Sequence, residues 1–191
     1  MEDAIKEDIK NAIKVMKAGG IILYPTDTIW GLGCDATNEA AVKKIFDIKK
    51  REDSKSMLVL TDAAAKIERL VGDIPPIIWD LVEVSDKPLT IIYPGGKNMA
   101  KNLIAEDGSV GIRITNETFS KELCFQFRMP VVSTSANISG EPSPANFSEI
   151  SEEIKNAVDY IVKYRQNDKT KSKPSSIIKV EADGAIKIIR E

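Results

Sequence analysis

Two segments of this 191-residue chain end an apolar run in a cluster of hydroxyl and amide side chains. Residues 131–140 read Val-Val-Ser-Thr-Ser-Ala-Asn-Ile-Ser-Gly, and Pro142 and Pro144 then hold the exit extended. Residues 25–33 read Pro-Thr-Asp-Thr-Ile-Trp-Gly-Leu-Gly and follow the apolar stretch 21–24. Ser, Thr and Asn at the carboxyl end of a strand are short hydrogen-bonding groups suited to phosphate oxygens or a carboxylate. Glycines beside them let backbone approach a ligand. Either segment alone also fits an ordinary polar turn. Two such endings in one small chain point to one shared site.

The cations are placed as unevenly as the hydroxyls. Lys49-Lys50-Arg51 and Lys55 put four bases within residues 49–55, and Ser54 and Ser56 flank the last. Bases at a helix C-terminus complement its dipole, which accounts for part of this cluster but not for Lys55 or the serines. The other reading is that Lys49 and Arg51, two apart, converge on a polyanion such as a triphosphate where the helix unwinds. Arg113 lies in a segment, Ser109-Val110-Gly111-Ile112-Arg113, that otherwise reads as a buried strand. A buried arginine needs an anion, either a carboxylate ligand or a structural ion pair. Arg190 follows Ile188-Ile189 in a similar setting.

The chain contains no histidine, which excludes Ser-His-Asp and Cys-His catalysis and any His-ligated metal. Cys34 and Cys124 cannot build a zinc site by themselves, and they read as reduced thiols of a cytoplasmic protein. Lys, Arg, hydroxyls, carboxylates and backbone amides remain, a set suited to phosphoryl and nucleotidyl transfer. Hydrophobic content of 42% with 29% charge describes a globular chain, and no apolar run approaches the ~20 residues of a membrane span. Mixed acids and bases in the first twenty residues argue against a leader peptide. With a net charge of −2, affinity for nucleic acid has to come from a local patch.

The elements that must position these groups follow from periodicity. Ile5, Ile9, Ala12, Ile13 and Met16 share a helical face that Gly19-Gly20 ends. Asn38 caps a second helix carrying Val42, Ile45 and Phe46. Thr61 or Asp62 caps a third, Pro75-Pro76 opens a fourth, and Asn116 caps a fifth that runs to Phe127. Strands are expected over 21–24, 57–60, 89–93, 110–114, 131–134, 160–164, 176–180 and 186–189, with a turn at Gly184. Helices alternate with strands early and strands dominate late. The expected fold is therefore α/β (α+β): a single domain over 1–191, a mixed parallel and antiparallel sheet flanked by helices.

The motifs taken in order carry a resemblance. Residues 25–33, the Lys49-x-Arg51 pair, Ser54-Lys55, Pro88-Leu89-Thr90, Val110-Gly111-Ile112-Arg113 and Ser133-Thr134-Ser135-Ala136-Asn137-x-Ser139-Gly140 resemble the YrdC-type threonylcarbamoyl-AMP synthase family. The resemblance implies a twisted mixed sheet with a basic concave groove. It implies a nucleotidyltransferase that makes L-threonylcarbamoyladenylate and pyrophosphate from L-threonine, bicarbonate and ATP with Mg²⁺, with no metal ligated by the protein. The product would pass to a tRNA threonylcarbamoyl transferase complex that modifies an adenosine beside the anticodon. Thr26, Arg51, Arg113, Ser135 and Ser175 would hold threonine. Lys49, Lys55, Ser109, Asn137, Ser143 and Arg190 would hold the nucleotide, and Lys49 and Arg51 would act on the reacting phosphates.

The chain departs from this pattern in three places. Ser85-Asp86-Lys87 stands where the family often has Trp-Pro-Gly, Leu60 where some members have histidine, and Pro174-Ser175-Ser176 in place of Glu-Ser-Thr. Weak binding of tRNA or double-stranded RNA is also implied, and Lys50, Lys55 and Lys101 are the candidate contacts unless they merely solvate the surface. Two competing functions are a non-catalytic RNA binder of the same fold and a paralogue acting on another amino acid. The specific Lys49-x-Arg51 and Ser135-x-Asn137 pairs favour catalysis, because phosphate-backbone binding does not require them.

Overall fold

The computed structural model describes residues 3–51, 57–181 and 183–191. Helix α1 (Asp3–Lys17) buries Ile5, Ile9, Ala12 and Met16, the stripe its sequence spacing demands. It ends where Gly19 adopts φ +76° and the Gly19 and Gly20 amides donate to the Met16 and Val15 carbonyls, each at 2.9 Å. Strand β1 (Ile22–Tyr24) then pairs with β2 (Gly31–Gly33) as an antiparallel hairpin. Sequence periodicity places all of 25–33 in a loop, because a three-residue strand containing two glycines has no strand propensity of its own. Pairing supplies what propensity does not, since β1 and β6 (Val131–Ser135) hold β2 from both sides. A Cβ at Gly33 would lie 2.5 Å from the Tyr24 ring and 3.0 Å from the Val132 carbonyl, so only glycine fits there.

Among the described residues the sheet has nine strands in the order β7-β1-β2-β6-β3-β5-β4-β8-β9. The rest are β3 (Leu58–Thr61), β4 (Leu89–Tyr93), β5 (Val110–Ile114), β7 (Tyr160–Ile161), β8 (Ser176–Val180) and β9 (Ile186–Arg190). The β1–β7, β3–β5 and β4–β8 pairs are parallel and the others antiparallel, so the sheet is mixed as expected. The register Gly31↔Ser135 and Leu32↔Thr134 sets the two hydroxyl-rich segments side by side. That pairing makes one site out of two motifs.

Helix α2 (Glu39–Lys49) is capped by Asn38, which accepts from the Ala41 amide at 3.1 Å, and it stops at Lys50 in a left-handed conformation, φ 49°. The helix thus ends between Lys49 and Arg51. Helices α3 (Ile77–Val84), α4 (Thr118–Phe127) and α5 (Glu152–Ala157) complete the fold, and α4 packs on α1.

Some expected boundaries shift for visible reasons. Residues 64–69 form a 3-10 turn instead of an α-helix capped by Thr61 or Asp62; Thr61 ends β3, and Asp62 pairs with Lys66. Glu117, not Asn116, caps α4, accepting from the Ser120 amide at 2.8 Å. Strand β7 stops short of 164 because the buried Asp8 carboxylate accepts from the Lys163 and Tyr164 amides, both at 2.8 Å.

Candidate active site

Strand alternation decides which side chains meet. On β5, Gly111 and Arg113 share a face; on β4, Thr90 and Ile92 share the same one, and Thr90 pairs directly with Arg113. Ser133, Thr134 and Ser135 of β6 join them, with Thr28, Trp30 and Gly31 from the β1–β2 hairpin. Together with Arg51, Ser143, Pro174, Ser175 and Arg190 they line a cavity of about 230 Å³. Its lining carries three guanidinium groups and a row of hydroxyls, and no carboxylate among the described residues. Such a surface takes anions.

Arg113 is 3% exposed and its charge is met by Asp27, with Nη2 at 3.1 Å from Asp27 Oδ1. The same Nη2 donates to Thr28 Oγ1 at 3.1 Å and Thr26 Oγ1 at 3.4 Å. Both alternatives left by the sequence therefore bear on one side chain: the structural ion pair is present, and Arg113 Nε is buried without a hydrogen-bond partner among the described residues. A buried donor without a partner is a cost, and a ligand oxygen would remove it. Burial pushes the Asp27 carboxyl above the usual carboxylate range, against the pull of Arg113.

Lys49 is placed differently. Its side chain is 1% exposed and its Nζ donates to the Ser135 carbonyl at 2.5 Å, the Asn137 carbonyl at 2.7 Å and Asn137 Oδ1 at 3.3 Å. In return the Ser139 amide donates to the Lys49 carbonyl at 2.8 Å. The lysine thus latches the end of α2 to the loop leaving β6. Asn137 closes that loop by donating from Nδ2 to the Ile138 and Glu141 carbonyls. Burial, with Arg51 nearby, lowers the Lys49 ammonium to about 8. Burial also lowers Arg51.

The sequence of residues 14–191 matches the Sua5/YciO/YrdC family model, which carries the description Telomere recombination. The chain belongs to the Sua5/YciO/YrdC family. A relative from Methanocaldococcus jannaschii is 37% identical over 194 residues, covering 96% of this chain and 87% of that one. The threonylcarbamoyl-AMP synthase of Pseudoalteromonas translucida is 32% identical over 157 residues, covering 81% of this chain and 84% of its own. Among solved structures, P. abyssi Sua5 complexed with L-threonine is similar at a TM-score of 0.80 and 25% identity, over 90% of this chain and 50% of that chain. The present chain therefore spans about half the length of that Sua5. E. coli YciO is similar at a TM-score of 0.83 and 22% identity, over 96% of this chain and 88% of its own, which bears on fold alone.

Within this family frame, the residues expected from sequence fall into two groups. Arg51, Arg113, Ser135, Ser143, Ser175 and Arg190 line the cavity. Ser175 Oγ lies 2.8 Å from Thr90 Oγ1, and Arg190 donates twice to the Ser175 carbonyl, at 2.9 and 2.7 Å. Thr26, Lys49, Ser109 and Asn137 do not line it. Thr26 is held inward, donating to the Ile29 carbonyl at 2.8 Å, and Thr28 takes the lining position instead. Ser109 is bound to Asp107 at 2.6 Å, and Asp107 pairs with Lys179 at 2.6 Å. Lys55 lies outside the described residues. Lys50, expected at the groove, forms an ion pair with Glu153 at 2.9 Å, whereas Lys101 is an exposed side chain.

Sequence reasoning missed Thr28, Thr90 and Ser133 as lining groups. Thr28 and Ser133 stand within the two motifs, and Thr90 is one alternation step from Ile92. The missing signal was register, since only pairing shows that Thr90 lies opposite Arg113. Leu60 also pairs with Arg113 but is fully buried outside the lining, where Met57 and Leu58 provide the β3 side of the wall.

Proposed function

We propose that this chain is a threonylcarbamoyl-AMP synthase that joins L-threonine, bicarbonate or CO₂, and ATP to give L-threonylcarbamoyladenylate and pyrophosphate for tRNA modification. The observation that carries the reading is a lining without acids among the described residues: Arg51, Arg113 and Arg190 around the hydroxyls of Thr28, Thr90, Ser133 and Ser135. The reaction brings together a carboxylate, a carbamate and a triphosphate, and each needs cations and short donors. The threonine carboxylate would lie on Arg113, whose Nε has no partner among the described residues. The threonine amine adds to CO₂ and loses a proton to give a carbamate. A carbamate oxygen attacks the α-phosphorus in line, and the bond to the bridging oxygen breaks as pyrophosphate departs with its electron pair. An anionic nucleophile needs no strong general base, consistent with a chain that has no histidine.

Arg51 would face the triphosphate from the end of α2. Lys49 would act from behind, fixing the 135–139 loop that carries Ser135 and placing its charge close to the phosphates. Mg²⁺ would arrive on the triphosphate and offset its charge, with phosphate and water oxygens as ligands, since the described lining offers hydroxyls but no carboxylate. The test is incubation with ATP, L-threonine, bicarbonate and Mg²⁺ and detection of the adenylate by mass. The product should form with the native chain and be lost in Arg51→Ala. ATP turnover without the adenylate would overturn the proposal.

A further inference from the structure

The sheet carries a second cavity on its other face. Thr90 and Ile92 of β4 and Gly111 and Arg113 of β5 face the first cavity, whereas Leu89, Ile91, Tyr93, Ile112 and Ile114 face the second. Its volume is about 380 Å³, larger than the first and large enough for a small organic molecule. Val82 of α3 covers it and residues 85–88 form one wall, the stretch where the chain lacks a Trp-Pro-Gly.

Three observations define what would bind. The walls are aliphatic, formed by Leu89, Ile91, Ile112 and Ile114. Tyr93 is 1% exposed and lines the cavity, and its hydroxyl makes no hydrogen bond among the described residues. The charged lining is mainly acidic: Asp27, Asp86 and Glu117 against Lys87. Glu117 is engaged with the Ser120 amide and lies 3.7 Å from Arg165, and Asp86 and Lys87 are exposed at the rim. Asp27 Oδ1 is buried and ion-paired with Arg113 at 3.1 Å, and it accepts no aligned hydrogen bond among the described residues.

We infer that this second cavity is a binding site for a small organic cation with an apolar body, its charged end at Asp27 and its body against the Ile91–Ile112 wall. An ammonium or amidinium would share the Asp27 carboxylate with Arg113 and give Asp27 Oδ1 a well-aligned hydrogen bond beside that ion pair. The aliphatic walls would hold the body by exclusion of water. An anion would meet Asp27, Asp86 and Glu117, so selection is by charge as well as shape.

The experiment titrates the full chain with tryptamine by calorimetry, beside neutral tryptophol and anionic indole-3-acetate. Tryptamine should bind roughly tenfold or more tighter than either, a gap of about 1.4 kcal/mol. Val82→Trp and Ser85→Trp, which fill the cavity from the roof and from the wall, should each abolish tryptamine binding. Asp27→Asn should remove the preference for tryptamine over tryptophol. If that variant fails to fold because Arg113 loses its partner, the two filling variants decide. No tryptamine binding at millimolar concentration, equal binding of indole-3-acetate, or unchanged binding in both filled variants would overturn the inference. None of these readouts depends on the synthase activity.

Discussion

Arg113 and Lys49 are both buried cations beside the same cavity, and the protein handles their charges in opposite ways. Arg113 has a carboxylate at 3.1 Å and two threonine hydroxyls, so its charge is neutralised before any ligand arrives. Among the described residues Lys49 meets carbonyl and amide oxygens, and the neighbouring charge that acts on it, beside its burial, is another cation, Arg51. The arginine is therefore a preorganised holder with a donor to spare. Among the described residues no carboxylate meets the lysine, and a polyanion would settle its charge. On the proposed function, the difference would separate a fixed seat for the threonine carboxylate from a region completed electrostatically by the phosphates of ATP.

The largest effect should come from breaking the compensated pair. Arg113→Met leaves Asp27 without its counter-charge and should cost about 3–5 kcal/mol in urea denaturation. The double variant with Asp27→Asn should recover much of that. A neutral Arg113→Met would mean that the pair carries no stability.

Lys49→Met should show the reverse profile, with little loss of stability at neutral pH but turnover lowered by about 10²-fold. The stability difference should also depend on pH. The native ammonium titrates near 8 and the unfolded one near 10.5, so between those values the unfolded chain holds more protons. Native stability relative to Lys49→Met should therefore rise with pH across that window, and below pH 8 the buried charge exerts its full cost. A flat difference from pH 7 to 10 would remove Lys49 from the set of uncompensated charges.

A third effect is smaller. Triphosphate would raise the Lys49 ammonium, so ATP binding above pH 8 should take up a proton, and affinity should fall by up to about tenfold per pH unit. Calorimetry in buffers of different ionisation enthalpy reads this directly, and absence of uptake at pH 8.5 would place the phosphates away from Lys49. The smallest effect concerns the threonine methyl. Serine should be disfavoured by only about 1–3 kcal/mol in kcat/KM, because one methyl group offers no more. Rejection far beyond that would show that the seat reads the methyl group by something other than packing.

Much of this contrast was legible in the sequence, and the remainder has physical reasons for being hidden. Arg113 stood out because a cation inside an apolar strand demands an anion. The hydroxyl clusters stood out because glycine and proline bracket them. Strand β2 was invisible because Gly31 and Gly33 form a strand only under the constraint of β1 and β6. The Asp27 partnership depends on a loop crossing the end of β5, which local spacing does not encode. The Lys49 latch was hidden for a deeper reason, since backbone carbonyls belong to every residue and leave no mark in residue type.

Pyrophosphate release from ATP, measured with threonine and bicarbonate each present or omitted, decides whether a threonine carbamate is the nucleophile. The carbamate exists only when amine and CO₂ meet, so release should require both and fall to background when either is withheld. Equal release without threonine would contradict the account, and the cavity would then belong to an ATPase or to a different acceptor.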